Sequence, residues 1–292
     1  MGSPCEIVFF AEKKYAQPFL NAALSRLTEI ENKYTRYNEN SLTTKINNRA
    51  GTEQAVIIDE ETSRLLDYAD TLFVQSDGLF DITSGVLRKA WNFRSGKLPQ
   101  DSEVEQLLPL VGWEKVERTS QSVYLSKAGM EIDFGGFVKE YAADQLAKLL
   151  VDRGVNHGLI NLGGDVKLMG PQPDGQAWRV GIAHPRKAGH AIACLPLTCG
   201  AVATSGDYER FIEVDGIRYC HLLNPITGRP IAPAYSSASI VSDFCVLAGS
   251  FSTIALLKSS EDKHWLPTTG AKYLIVNHDL TIDSNIQNKT GL

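Results

Sequence analysis

Apolar positions recur along this chain with two spacings, and each change of spacing marks a new element. Residues 5–10 (Cys-Glu-Ile-Val-Phe-Phe) are a short aromatic and β-branched run, which predicts a strand. Phe19, Ala22, Ala23, Leu27 and Ile30 then fall three or four apart, so an amphipathic helix is expected over 16–33. Leu65, Leu66, Ala69, Leu72 and Phe73 predict a second helix from Ser63 to Gln75. Arg94–Glu105 is polar with Gly and Pro, and is expected to be a surface loop. Met130–Asp133 predicts a short strand that runs into Gly135-Gly136. A helix should follow over 137–152, with Val138, Ala142, Leu146, Leu149 and Leu150 periodic and Gly154 just past its end. Leu159–Leu162 predicts a strand ended by Gly163-Gly164-Asp165.

From residue 178 the texture changes to short strands and turns. Trp178–Ile182, Ala191–Leu195 and Phe211–Val214 are expected strands, with Asp215-Gly216 as a hairpin turn and Arg218–Leu223 returning. Ser239–Val241 and Ala271–Asn277 close the strand set, and Val246–Lys258 reads as a helix of small residues. The mixture is α+β. No linker divides it, so a single domain over 1–292 with two lobes is expected.

Composition narrows the class. The chain has 292 residues, 43% hydrophobic and 22% charged, with a net charge of −5. That is a globular balance, and no basic stripe with interleaved aromatics suggests nucleic acid. No apolar run approaches the roughly 18 residues of a membrane span. The first residues carry no charged segment followed by an apolar one, so no signal peptide or membrane anchor is read. The five cysteines are odd in number, widely spaced and never C-x-x-C. That argues against a disulfide framework or a zinc site and fits a reducing compartment.

Four segments could carry chemistry. In Asp133-Phe-Gly-Gly-Phe-Val-Lys-Glu-Tyr-Ala-Ala-Asp144, a strand turns at two glycines into a helix. A helix N-terminus offers unpaired N–H groups and partial positive charge, and Lys139 can reach the same space, which makes a diphosphate cradle. A tight turn with a solvated lysine is the plainer reading. In Gly78-Leu-Phe-Asp81-Ile-Thr83-Ser-Gly85, an Asp before Thr, Ser and Gly suits a loop that bonds its own backbone, or one that holds a ring by its amide edges. Ala203-Thr-Ser-Gly-Asp-Tyr-Glu-Arg210 is mostly polar and lies next to a strand. It is followed by His221-Leu-Leu-Asn-Pro-Ile-Thr-Gly-Arg-Pro230, where His221 stands among turn residues as a possible proton acceptor. In Leu247-Ala-Gly-Ser-Phe-Ser252-Thr253, small hydroxylated residues suit close packing or weak ligation of a hard cation.

Together with Asn161-Leu-Gly-Gly-Asp165, these segments resemble the ApbE family of FAD:protein FMN transferases, in family order and over most of the chain. The resemblance implies one α+β domain with FAD bound between two lobes. It implies transfer of the FMN half of FAD to a Thr or Ser of an acceptor flavoprotein, with AMP released. It places Met1, Tyr37, Leu79, Phe80, Asp81, Asp133, Lys139 and Leu223 at FAD contacts and His221 as catalytic base. It places Mg²⁺ at the carbonyl of Gly136 with Ser252 and Thr253. One position departs from the pattern: the family's metal-binding Asp, in an A-D-A-x-x-T segment, is Gly249 here. The metal site should be weakened unless Asp243, Asp165 or the diphosphate compensates. The family is usually exported and lipid-anchored, whereas this chain reads as cytoplasmic. A non-catalytic FAD-binding protein and an FAD pyrophosphatase are the alternatives.

Overall fold

Many brief β-branched runs broken by turn residues, and a few longer runs at helical spacing, give many short strands and few long helices. The computed structural model describes residues 4–93 and 95–286. In chain order the elements are β1 (Cys5–Phe9), α1 (Lys13–Tyr34), α2 (Leu42–Asn48), β2 (Val56–Ile57), α3 (Glu60–Gln75) and a 3-10 helix (Ile82–Lys89). Then come α4 (Asp101–Leu107), β3 (Val116–Arg118), β4 (Ser122–Leu125), a 3-10 turn (Phe134–Gly136), α5 (Val138–Val151), β5 (Gly158–Leu162), β6 (Asp165–Leu168), β7 (Trp178–Ala183) and β8 (Ala191–Leu197). The rest are β9 (Gly200–Gly206), β10 (Phe211–Val214), β11 (Ile217–Cys220), β12 (Ser237–Ser242), α6 (Cys245–Ser259), α7 (Trp265–Thr268), β13 (Lys272–Val276) and β14 (Ile282–Ser284).

The chain folds as two compact units. The first takes residues up to Glu31, Phe137–Tyr208 and those from Pro233 onward. Its core is a seven-stranded sheet in the order β1-β5-β6-β9-β12-β13-β14. Every neighbouring pair is antiparallel. Alternation along β6 shows how the faces divide. Val166 and Leu168 join Val202, Leu274 and Val276 in an apolar layer with Ile182 and Leu195 of the β7–β8 hairpin. Asp165 and Lys167 face the other way, toward α5, where they meet Lys139 and Asp144. On that face α5 covers β5 and β6, and α6 covers β9 and β12. Ala201 and Ala203 of β9 are fully buried. Most of α6 is buried too, as expected for a helix that is apolar or small all round.

The second unit takes Asn32–Gly136 and Glu209–Ala232. It holds the sheet β2-β4-β3, the hairpin β10–β11 and the helices α2, α3 and α4. Ser41 and Asp59 cap α2 and α3 by accepting from Thr44 N (3.0 Å) and Thr62 N (3.0 Å). Its apolar cluster is Val86, Leu87, Trp91, Val104 and Val111.

The long helices, and β1, β5, β12 and β13 of the central sheet, fall where the sequence predicts them, whereas β6, β9 and β14 were not expected as strands. Three expectations fail. Arg94–Glu105 is not all loop: α4 begins at Asp101, where Glu103 accepts from Gln100 N (2.7 Å) in a capping box. Only Val104 of that helix is buried, too little to show as a period. Met130 and Ile132 are buried, but Met130–Asp133 is not a strand, because its backbone bonds elsewhere. Ile132 N and O pair with the Asn47 side chain (2.8 and 3.1 Å), and Asp133 N donates to Ile82 O (2.9 Å). The polar run Ala203–Gly206 is not beside a strand but is part of β9, in mid-sheet, where its polar groups find partners.

Candidate functional site

The second unit gathers most of the predicted flavin contacts around two carboxylates. Asp81 is buried and N-caps the 3-10 helix. Its Oδ1 accepts from Thr83 N and Thr83 Oγ1 (both 2.7 Å), and its Oδ2 accepts from Trp113 N (3.0 Å). Thr83 Oγ1 in turn accepts from Gly112 N (2.7 Å). Burial pushes the Asp81 pKa up against these bonds. The Asp-x-Thr signal therefore builds a rigid frame that reaches residues 112 and 113. On that frame Leu79 and Phe80 are buried. The Phe80 ring lies so close to Gly136 that a Cβ there would meet its Cζ at 2.9 Å, so a side chain at this position would have to displace the buried ring. Asp133 accepts from Gly135 N (2.9 Å) and pairs with Arg36. Arg36 also donates to the hydroxyl of Tyr37 (2.8 Å), whose side chain is 82% exposed.

His221 stands one residue past β11 and donates its backbone N–H to Arg210 O (2.9 Å). The following turn is locked. Asn224 Oδ1 accepts from Ile226 N (2.8 Å) and Thr227 N (3.2 Å), and Trp91 Nε1 donates to Gly228 O (2.7 Å). Leu223 pairs with Pro230 and packs on the cluster of Val86, Leu87 and Trp91. His221 is partly exposed, yet its Nδ1 is buried with no hydrogen-bond partner. Burial first, and the Arg210 charge second, lower its pKa to about 4. The imidazole is thus neutral near pH 7 and has a ring nitrogen that the protein does not use.

The first unit builds a different cluster. No polar side chain caps α5, whose N-cap is Phe137. Gly135 and Gly136 form the 3-10 turn Phe134–Gly136, and α5 begins at Val138, as expected for a turn at two glycines into a helix. Lys139, in the first turn of α5, is not solvated. It pairs with Asp165, with Glu140 (3.1 Å) and with Leu162 O (3.2 Å). Burial works against its charge, but Glu140 and Asp165 outweigh this and hold its pKa above that of an ordinary lysine. Glu140 is buried, which raises its pKa against the pull of Lys139, and its Oε2 has no hydrogen-bond partner. On α6, Ser252 Oγ donates to Gly249 O (2.9 Å). Ser205 Oγ of β9 lies 2.9 Å from Ser252 Oγ and 3.0 Å from Thr253 Oγ1.

These groups suit a hard cation. Among the described residues no group of three or more His, Cys, Asp or Glu is placed to hold a metal. Mg²⁺, however, is commonly held by one or two carboxylates, with phosphate oxygens and waters completing the shell. Glu140 Oε2 and the hydroxyls of Ser252 and Thr253 are oxygen donors of that kind.

Met1 lies outside the described residues. Of the other predicted residues, the second unit holds Tyr37, Leu79, Phe80, Asp81, Asp133, Gly136, His221 and Leu223, and the first holds Lys139, Ser252 and Thr253. Sequence reasoning passed over Glu140 and the framing role of Trp113. It also missed Asp144, which accepts from Cys245 N and Val246 N (both 2.9 Å) at the start of α6. An Asp one helix away from an uncapped N-terminus is the only signal for that bond, and the sequence does not show the juxtaposition. Of the expected substitutes for the missing Asp, Asp165 is engaged by Lys139 and Asp243 is exposed. Among the described residues no helix is long and apolar enough to cross a membrane.

Fold and side chains together define an α+β protein with a neutral, buried imidazole nitrogen and a separate oxygen-donor cluster around an ion-paired lysine. The model of the ApbE family matches residues 1–274, and the chain belongs to that family. It is similar to the FAD:protein FMN transferase of Klebsiella pneumoniae, 30% identical over 251 residues, which span 83% of this chain and 75% of that one. The enzyme of the same name from Chlamydia pneumoniae is 30% identical over 263 residues, 87% of this chain and 80% of its own. Among solved structures, the ApbE protein of Thermotoga maritima is 33% identical with a TM-score of 0.88, over 97% of this chain and 94% of that one. The flavin transferase ApbE of Vibrio cholerae, 22% identical with a TM-score of 0.86 over 97% and 93%, shares the fold.

Proposed function

We propose that this protein is an FAD:protein FMN transferase, which moves the FMN moiety of FAD onto a Thr or Ser hydroxyl of an acceptor flavoprotein and releases AMP. The observation that carries this reading is the family match over residues 1–274, with relatives of that name aligned over most of their own length.

The acceptor hydroxyl oxygen bonds to the phosphorus on the FMN side of the diphosphate. The bridging P–O bond breaks, and its electron pair leaves with AMP. The hydroxyl proton goes to His221, whose ring is neutral at pH 7. The locked turn Asn224–Gly228 fixes the backbone beyond it, so the ring need not be ordered during the reaction. Lys139, oriented by Asp165 and Leu162 O, presents positive charge to phosphate oxygens. Tyr37, Leu79, Phe80, Asp133 and Leu223 are the proposed flavin contacts, with Asp81 as their frame. Ser252 and Thr253 of the first unit are the proposed metal donors, and a bound Mg²⁺ would offset the charge that gathers on the diphosphate.

The test is the intact mass of an acceptor domain incubated with the protein, FAD and Mg²⁺. A gain of one FMN is expected. His221→Asn should slow transfer by about 10²-fold or more while FAD still binds. Parallel loss of transfer and FAD binding would make His221 structural. Free FMN and AMP formed without acceptor would identify a pyrophosphatase instead.

A further inference from the structure

The position where the family carries a metal-binding Asp is not vacant space in this protein. A Cβ at Gly249 would meet Glu140 Cγ at 2.6 Å, Cδ at 3.0 Å and Oε1 at 3.1 Å. The room for an α6 side chain is therefore taken by a carboxylate that reaches across from α5. Glu140 is 7% exposed, and its Oε2 is buried without a hydrogen-bond partner. Leaving a buried carboxylate oxygen unpaired is costly unless something else binds it. Gly249 lies one helical turn before Ser252 and Thr253, so all three sit on one stretch of α6 surface. The Ser252 hydroxyl bonds Gly249 O, and Ser205 reaches both Ser252 and Thr253. An unsatisfied carboxylate thus sits against the same helix surface as the hydroxyls.

We infer that Glu140 supplies the carboxylate of the divalent-cation site in this protein. The ligand has moved from α6 to α5, and Gly249 is the space that admits it. The inference rests on the transferase reading for the identity of the cation, but its test does not depend on turnover. A consequence separates it from a merely weakened site. Placing Asp at 249 alone does not restore a ligand, because the new side chain collides with Glu140. Restoration requires both changes at once.

The experiment uses the full chain with FAD and no acceptor, titrated with Mn²⁺ and followed by electron paramagnetic resonance. Thermal melts confirm that each variant folds. The unmodified protein should bind Mn²⁺. Glu140→Gln should weaken binding at least about tenfold, since even the outer-shell partners of metal ligands cost that much when lost. Gly249→Asp alone should melt lower and bind no more tightly. The double variant Glu140→Ala/Gly249→Asp should recover both the melting temperature and Mn²⁺ affinity that the single variants lose. Unchanged affinity in Glu140→Gln overturns the inference. So does a Gly249→Asp protein that folds as well as the parent and binds Mn²⁺ more tightly. Absence of Mn²⁺ binding in the parent also overturns it. If the acceptor still gains FMN in that case, the transferase reading stands without it; if the acceptor gains nothing while the Mn²⁺ results come out as expected, that reading fails alone.

Discussion

Acidification should remove stability from this protein through one ring, and the amount can be worked out. His221 has a folded pKa of about 4 against an unfolded value near 6.5, because burial and the Arg210 charge disfavour its protonated form. The sign follows from proton binding. Below pH ~6.5 the unfolded chain takes a proton that the native ring refuses, so stability falls as pH falls toward 4. Above pH ~6.5 neither state is protonated and the contribution is fully present. At pH ~4.5 the unfolded ring is almost wholly protonated and the native ring little so, which costs up to about 2.5 kcal/mol relative to pH ~7.5. Other groups titrate across the same range, so the comparison needs a reference, and His221→Gln serves as one. Urea unfolding of both proteins at several pH values gives the difference in their stabilities. The parent should lose about 2.5 kcal/mol more than the variant between those limits, most of it below pH ~6. Parallel stability curves would show that the ring titrates alike in both states and would refute the argument. The same value bears on catalysis. A base with a pKa of about 4 stays deprotonated through mild acid, so kcat/KM should show no histidine limb near pH ~6.5.

Three further substitutions test the frame. Asp81→Ala removes the acceptor of Thr83 N, Thr83 Oγ1 and Trp113 N, and should cost about 3–5 kcal/mol in urea unfolding; a loss under about 1 kcal/mol would show that the frame does not depend on it. Asp144→Ala leaves the first N–H groups of α6 uncapped, which should cost about 1–2 kcal/mol and speed amide exchange at Cys245 and Val246; unaltered exchange there would dismiss the cap. Trp91→Phe strands the Gly228 carbonyl in the apolar cluster and should lower stability by about 1–3 kcal/mol; a neutral result would mean water replaces the indole.

The sequence disclosed what is local and repeated. The helices α1, α3, α5 and α6 were readable because their apolar positions recur over several turns, and the hairpin β10–β11 because Asp215-Gly216 marks its turn. The 3-10 helix Ile82–Lys89 and α4 were not readable: the first keeps a tighter period than an α-helix, and α4 buries only Val104. The strand β9 was obscured by its own polar residues. Thr204 and Ser205 look like loop until Ser239 and Ser252 supply their hydrogen-bond partners from β12 and α6.

The candidate site divides along the same line. Asp81-Ile-Thr83 announces a self-bonded loop, and the Asx turn at Asn224 announces itself through Pro225 and Gly228. What each bond serves comes from distant chain: Trp113 N closes on Asp81, and Trp91 closes on Gly228. A motif therefore tells which backbone is rigid but not which side chain is left with unused chemistry. His221 and Glu140 each hold one buried atom without a hydrogen-bond partner, as Arg36 and Ser237 also do among the described residues. That property belongs to the packed structure alone. It also sets the two residues apart in kind: a neutral ring nitrogen is ready to take a proton, whereas a buried carboxylate oxygen beside Lys139 and Gly249 is ready for a cation. The glycine that reads in the sequence as a lost ligand is, in the fold, the room in which another carboxylate stands.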